Sequence, residues 1–132
     1  MQYLLDTNIC IDILRNVDKV IEHLSKVSPE DCAVSTITSF ELFSGVEECS
    51  QPAKEGRKVR ILIDAVRELA FDHAAAMEAA NIRAVLESAG TSIGPFDTLL
   101  AGQARSLGMT FVTSNTGELV RVDDLTLENW RE

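Results

Sequence analysis

Nothing in this 132-residue sequence is apolar for long enough to cross a membrane, so no spanning helix is expected. The N-terminus also lacks the basic-then-apolar layout of a signal peptide, because Asp6 interrupts the first apolar residues at once. A cytoplasmic protein is the expectation. Cysteine is scarce. Cys10, Cys32 and Cys49 are odd in number, widely spaced and without the paired spacing of a zinc site, so buried reduced thiols fit better than disulfides. Positive charge is in deficit, with 12 Lys and Arg against 21 Asp and Glu, a net charge of −9. That balance argues against a general polyanion-binding surface, since phosphate contacts are the main source of such affinity. It leaves room for a local basic patch and suits carboxylates gathered around a cation. His23 and His73 are the only histidines, and both fall on predicted helices away from the acids discussed below. Surface or packing roles are expected of them. Repeats, low-complexity segments and linkers are absent as well. What remains is an ordinary globular composition, 45% apolar and 25% charged, and a single domain over residues 1–132.

The stretch that organises the chain is Tyr3-Leu4-Leu5-Asp6-Thr7-Asn8. Three apolar residues in a row read as a strand buried on both faces. Asp6 arrives where that strand ends, and a helix-spaced apolar segment through Leu14 follows at once. An ionised carboxylate is expensive to bury alone, so a water-rich loop is its expected home. At the tip of a central strand it points into the crevice where open α/β sheets bind ligands. Capping of the next helix by Asp6 or Asn8 is the plainer alternative.

The rest alternates. A helix is read over Val20 to Val27, a strand at Cys32 to Val34, and a helix carrying Ile37, Phe40, Glu41, Leu42, Phe43 and Val46. Ser50 to Gly56 reads as a flexible tip, Arg57 to Val66 as a helix and Glu68 to Phe71 as a strand. Asp72 caps an alanine-rich helix from His73 to Ser88, stopped by Gly90. Pro95 opens another helix that ends near Gly108, Met109 to Thr113 is strongly strand-like, and Leu119–Val122 with Leu125–Leu127 suggest an edge strand closing at Trp130. Strands alternating with helices predict an α/β fold, a parallel sheet covered on both faces.

Four positions then share one grammar. Asp6 ends the first strand, Glu41 sits inside the third helix, Asp97 lies in the first turn opened by Pro95, and Asn115 follows the strand ending at Thr113, with Glu118 three residues on. Singly, each has a plain explanation: Thr38 with Glu41 matches a capping box, Asp97 complements a helix dipole, and Asn115 caps a short turn. Together they converge, because strand ends and helix N-termini of a doubly wound sheet meet at one crevice. Carboxylates brought together repel, so one stays protonated or a hard cation neutralises them. Oxygen ligands without His or Cys suit Mg²⁺ or Mn²⁺. Such a cation activates water and shields charge on a phosphate, which implies phosphodiester hydrolysis.

The ordered set Leu4-Leu5-Asp6-Thr7-Asn8-Ile9-Cys10-Ile11, Glu41-Leu42 before Gly45, Gly94-Pro95-Phe96-Asp97, and Val112-Thr113-Ser114-Asn115-Thr116 with Glu118 resembles a PIN-domain nuclease, specifically the VapC-type toxins. The likeness runs from residue 2 to Trp130, with Leu127-Glu128-Asn129-Trp130 typical of one branch. It implies a PIN-like three-layer α/β/α fold with a mostly parallel sheet. It also implies an Mg²⁺-dependent endoribonuclease of a type II toxin–antitoxin system, cleaving structured RNA such as loops of transfer or ribosomal RNA. A homodimer silenced by a cognate antitoxin belongs to the same expectation. By position, Asp6 and Asp97 would be the main metal ligands and Glu41 a third. Thr7, Asn8, Thr113 and Glu118 would support them or the substrate. Asn115 stands where many relatives carry Asp. It would act by hydrogen bonding, fixing Asp6 or a water on the metal, with one cation held between Asp6 and Asp97 and any second site filled only when RNA phosphate supplies the missing oxygens. Lys54, Arg57, Lys58 and Arg60 form a modest basic run, either a solvated helix face or a rim that guides phosphates. A receiver-like Mg²⁺-binding signalling domain shares length and acidity, but it needs paired acids after the first strand and a lysine after its last, and no lysine follows Lys58. A dehalogenase-type phosphatase needs Asp where Asn8 stands. A catalytically inactive PIN-type binding module is the remaining alternative.

Overall fold

A computed structural model of the chain describes residues 2–132. Among them the elements run β1 (Tyr3–Leu5), α1 (Thr7–Leu14), α2 (Asp18–Ser25), a single 3₁₀ turn (Pro29–Asp31), β2 (Cys32–Ser35), α3 (Thr36–Glu48) and α4 (Pro52–Ala65). Then follow β3 (Arg67–Leu69), α5 (His73–Ser88), α6 (Pro95–Leu107), β4 (Thr110–Val112), α7 (Thr116–Leu119) and β5 (Leu127–Glu128). The sheet order is β3-β2-β1-β4-β5 and every pairing is parallel, so the sheet is wholly rather than mostly parallel.

Strand alternation sorts the core into two halves. Leu4, Ala33 and Phe111 face one side and pack with Ile82 and Leu86 of α5 and Leu100, Ala101 and Ala104 of α6. Leu5, Cys32, Val34 and Val112 face the other and pack with Ile9, Val20, Leu42, Val59 and Leu62 of α1 to α4. Three layers result. The chain walks outward through β1, β2 and β3, then crosses back to β4 on the far side of β1. Helices α1–α4 cover one face and α5–α6 the other. The reversal falls between β1 and β4, and there the strand ends open a crevice.

Three expectations change. The stretch from Ser50 to Gly56 is largely the first turn of α4, with Pro52 at the start, where its missing N–H costs nothing. The third strand is shorter and ends earlier than expected; the Phe71 N–H donates to the Thr36 hydroxyl at 3.1 Å instead of joining a ladder. The apolar residues from Leu119 to Val122 are not an edge strand. Leu119 and Val122 are buried three residues apart, a helical spacing, and the sheet gains only Leu127–Glu128. Trp130 is 1% exposed, stacks on His23 and meets Tyr3 edge-on, so His23 serves packing. Arg131 forks onto buried Asp12 through Nε at 2.5 Å and its terminal nitrogen at 3.0 Å, which seats the end of the chain on α1. Cys10 and Cys32 are buried and Cys49 is half-buried, all three as free thiols; burial pushes the Cys32 thiol up to about 11.

The closest helix contact lies between α5 and α6. A Cβ added at Gly102 would stand 2.5 Å from the Ala79 backbone nitrogen and 2.7 Å from its Cα. Backbone cannot swing aside as a side chain does. Gly102→Ala is expected to cost about 1–3 kcal/mol or more in urea-induced unfolding, the range for overpacking a filled core. An unchanged midpoint would show that the two helices part freely.

Candidate active site

Asp6 follows β1 directly, and its backbone N–H still pairs with the Val112 carbonyl of β4 at 2.8 Å. It does cap α1, as the plainer reading had it, through Oδ1, which accepts the Thr7 N–H at 2.7 Å. That occupies one oxygen. The other, Oδ2, accepts the hydroxyl of Thr113, the residue after β4, at 2.8 Å. The carboxylate is therefore clamped across the sheet's reversal point. It does not sit in a water-rich loop, because Asp6 is 3% exposed and Thr113 is fully buried. Two bonds from the protein replace much of the lost hydration. Burial still dominates and pushes the Asp6 carboxyl up to about 6; the Thr113 hydroxyl and Thr7 N–H oppose the rise, while the charges of Asp97 and Glu41 add to it.

Glu41 reaches the same place from α3. The helix is capped by Ser35, whose hydroxyl accepts the Ile37 N–H at 3.0 Å, so Thr38 and Glu41 form no capping box. Instead the buried Thr7 hydroxyl donates to Glu41 Oε1 at 2.7 Å and lies 3.0 Å from the Thr38 hydroxyl. Thr38 is a supporting residue to which sequence reasoning assigns the wrong role. Its signal is its place one helical turn before Glu41.

Asp97 is the third residue of α6, which begins at Pro95 after Gly94. Burial pushes its carboxyl up, the Asn115 amide pulls it back, and Glu118 adds to the rise. The Asn115 side chain makes no cap bond on α7. Its amide donates to Asp97 Oδ2 at 3.1 Å and to Glu118 Oε2 at 3.0 Å. Asn115 thus steadies Asp97, not Asp6, because Thr113 already holds Asp6. The Asn115 N–H also donates to Thr113 Oγ1 at 3.0 Å, which joins the two arms of the site.

Two groups of expected residues stand outside this network. Asn8 is exposed on α1. Lys54, Arg57, Lys58 and Arg60 lie on α4, where Lys58 pairs with Glu55 and Arg60 lies over the Phe43 ring.

Whether these residues suit a cation is decided by their chemistry. The donors are all oxygen, and the like charges of Asp97 and Glu41 already raise Asp6, which a hard divalent ion would relieve. Among the described residues, though, no three Asp, Glu, His or Cys side chains form a ready metal cage. Asp6, Asp97 and Glu41 are each held by a separate donor, Thr113, Asn115 and Thr7. Mg²⁺ keeps several waters and uses one or two carboxylates together with substrate phosphate, so it needs fewer than three of these acids.

A family profile described as the PIN domain matches residues 3–125. The tRNA(fMet)-specific endonuclease VapC of Shigella flexneri is 35% identical over 130 residues, 98% of each chain. Ribonuclease VapC2 of Haemophilus influenzae is 33% identical over 132 residues, again 98% of each. Among solved structures, the DNA-bound VapBC of Salmonella typhimurium superposes with a TM-score of 0.93 at 33% identity, covering 98% of both chains.

Proposed function

The chain belongs to the PIN-domain family, in its VapC branch, and from that premise we propose that it is the ribonuclease toxin of a type II toxin–antitoxin pair, hydrolysing RNA with Mg²⁺ or Mn²⁺. The observation that carries the reading is the clamped Asp6 facing the field of Asp97 and Glu41 at the sheet's reversal point. Asp6 and Asp97 would hold the cation, with Glu41 as third acid. When bound, it would supply charge neutralisation at the scissile phosphate and lower the pKa of water.

The chain's own residues do the rest. Thr113 and the Thr7 N–H fix the orientation of Asp6, so little reorganisation is left for the reaction. Thr7 turns Glu41 by one oxygen, leaving Oε2 without a protein donor among the described residues. Glu41 is then the candidate to take a proton from attacking water. Asn115 holds Asp97 and Glu118 apart with two donors, lowering their mutual repulsion. The basic run on α4 supports a phosphate-guiding role for Lys54, Arg57, Lys58 and Arg60, outside the chemistry itself.

Similarity to the VapBC complex of Salmonella typhimurium supports a cognate antitoxin as partner, and a cationic segment of it entering the acidic crevice would displace the metal. A homodimer paired through helices is part of the same proposal. Among the described residues no helix is long and apolar enough to cross a membrane. Action in the cytoplasm on structured tRNA or rRNA belongs to the same proposal.

The test is cleavage of total cellular RNA by purified protein. Mg²⁺ or Mn²⁺ should be required, and Asp97→Asn should lower the rate by at least ~10²-fold, as for loss of a charged group at the reacting centre. Undiminished cleavage in EDTA, or by the variant, refutes the assignment.

A further inference from the structure

The residue before each of two acids is an exposed phenylalanine. Phe40 precedes Glu41 on α3, Phe96 precedes Asp97 on α6, and the rings meet with centroids 6.0 Å apart at 44°. Phe40 is 59% exposed and Phe96 41%, although both stand where α3 and α6 pack together. Rings so placed gain little by being wet, since folding normally hides large aromatic surface. We propose that this pair is a stacking platform for one unpaired nucleobase beside the scissile phosphate, a reading that rests on the RNA cleavage proposed above.

Three observations choose the occupant. The first is position: Phe40 and Phe96 each adjoin an acid of the proposed centre along the chain, so a scissile phosphate at that centre would carry a neighbouring base close to the pair. The second is charge. The chain is −9 overall and its centre is acidic, so backbone attraction is weak beside the acids and an uncharged contact there adds affinity. Base–aromatic stacking does so without needing positive charge. The third is form. An apolar hollow of about 560 Å³, lined by Phe71, Ile93, Pro95 and Leu99, counts neither ring among its lining residues. Two rings are also fewer than the i, i+3, i+4, i+7 anchors that a docking helix needs.

The geometry sets the mode as well. Tilted rings 6.0 Å apart already touch, and no third ring fits between them. The base therefore lies on the outer face of Phe40, and Phe96 braces Phe40 from behind. This requires the base to be unstacked from its neighbours, so the substrate presents a loop or single strand at the cut.

The experiment uses the full chain and a short single-stranded RNA carrying one 2-aminopurine, moved along the strand, with a matching RNA abasic at the same position. At one position, binding should raise the fluorescence, because 2-aminopurine brightens when it leaves the stack of its neighbours. Phe40→Ala should abolish that rise and weaken binding about 5- to 150-fold, the loss of one base stack. Phe40→Leu, which keeps bulk without a ring, should behave alike, and Phe40→Trp should restore binding. Wild type and Phe40→Ala should bind the abasic RNA equally. An equal loss on both RNAs, or none on either, overturns the platform. So does an absence of RNA binding, or a Phe40→Ala defect confined to protein partners. A Phe40-dependent fluorescence rise without Mg²⁺-dependent cleavage would leave the platform standing and remove the nuclease assignment; cleavage with no dependence on Phe40 would do the reverse.

Discussion

In metal-free buffer at pH 7, Asp6→Asn is expected to be more stable than wild type and catalytically silent. The carboxyl of Asp6 is raised from 3.8 to about 6 in the folded protein, chiefly by burial. A raised acid binds its proton more tightly when folded, so its contribution to stability is full below 3.8 and is lost as pH rises through 6. Above that, the buried charge costs up to about 3 kcal/mol, at 1.36 kcal/mol per pH unit of difference. Asn removes the charge and keeps the shape. Its oxygen can still accept the Thr7 N–H, and its amide can donate to the Thr113 hydroxyl. Urea unfolding in EDTA across pH 4 to 8 measures the difference. The variant should lead by roughly 1–3 kcal/mol at pH 8, and the gap should close toward pH 4. Added Mg²⁺ should stabilise wild type more than the variant, as for any ligand that binds only the folded state. A variant no more stable at pH 8, or a gap that persists in acid, would show that Asp6 is not under this stress.

Asn115→Ala should lower cleavage roughly 10- to 100-fold, the range seen when a group supporting a metal ligand is lost. The side chain bridges Asp97 and Glu118 as a double donor. Without it the two carboxylates face each other unscreened, and Asp97 loses the bond that pulls its pKa down. Asn115→Asp is the sharper variant. It removes both donors and sets three acids together, so its metal-free form should be less stable than wild type and Mg²⁺ should recover the loss with tighter binding. Calorimetric titration with Mg²⁺, without RNA, reads this directly. Two tight sites in wild type, or full activity in Asn115→Ala, would remove Asn115 from this bridging role.

Much of the architecture is legible in the residues alone. The run Tyr3-Leu4-Leu5 ending at Asp6 announces a central parallel strand, because only a strand buried on both faces is apolar without alternation. Asp72, Gly90, Pro95 and Gly108 mark helix ends by local chemistry, and the structure keeps all four, with Gly90 and Gly108 at positive φ. The misreadings are also local. Ser50 to Gly56 resembles a tip because it holds Pro52 and Gly56, yet a proline in the first turn starts a helix as readily as it ends one. Leu119 to Val122 resembles a strand because four residues are too few to separate a period of 2 from one of 3.6.

The sequence by itself determined the alternation of strands and helices, the parallel sheet covered on both faces, and the acids at strand ends and helix starts. Those properties depend on residue type and near neighbours along the chain. Only the tertiary structure decided which donor holds which acid. Thr113 is 107 residues from Asp6, Thr7 is 34 from Glu41, and the Phe40–Phe96 pair joins two separate helices. Sequence spacing carries no record of such approaches; they follow from the parallel order β3-β2-β1-β4-β5, which sets the end of β1 against the end of β4. Burial of Asp6 is a consequence of the same order, because a strand at the centre of a covered sheet has its tip screened by its neighbours on either side.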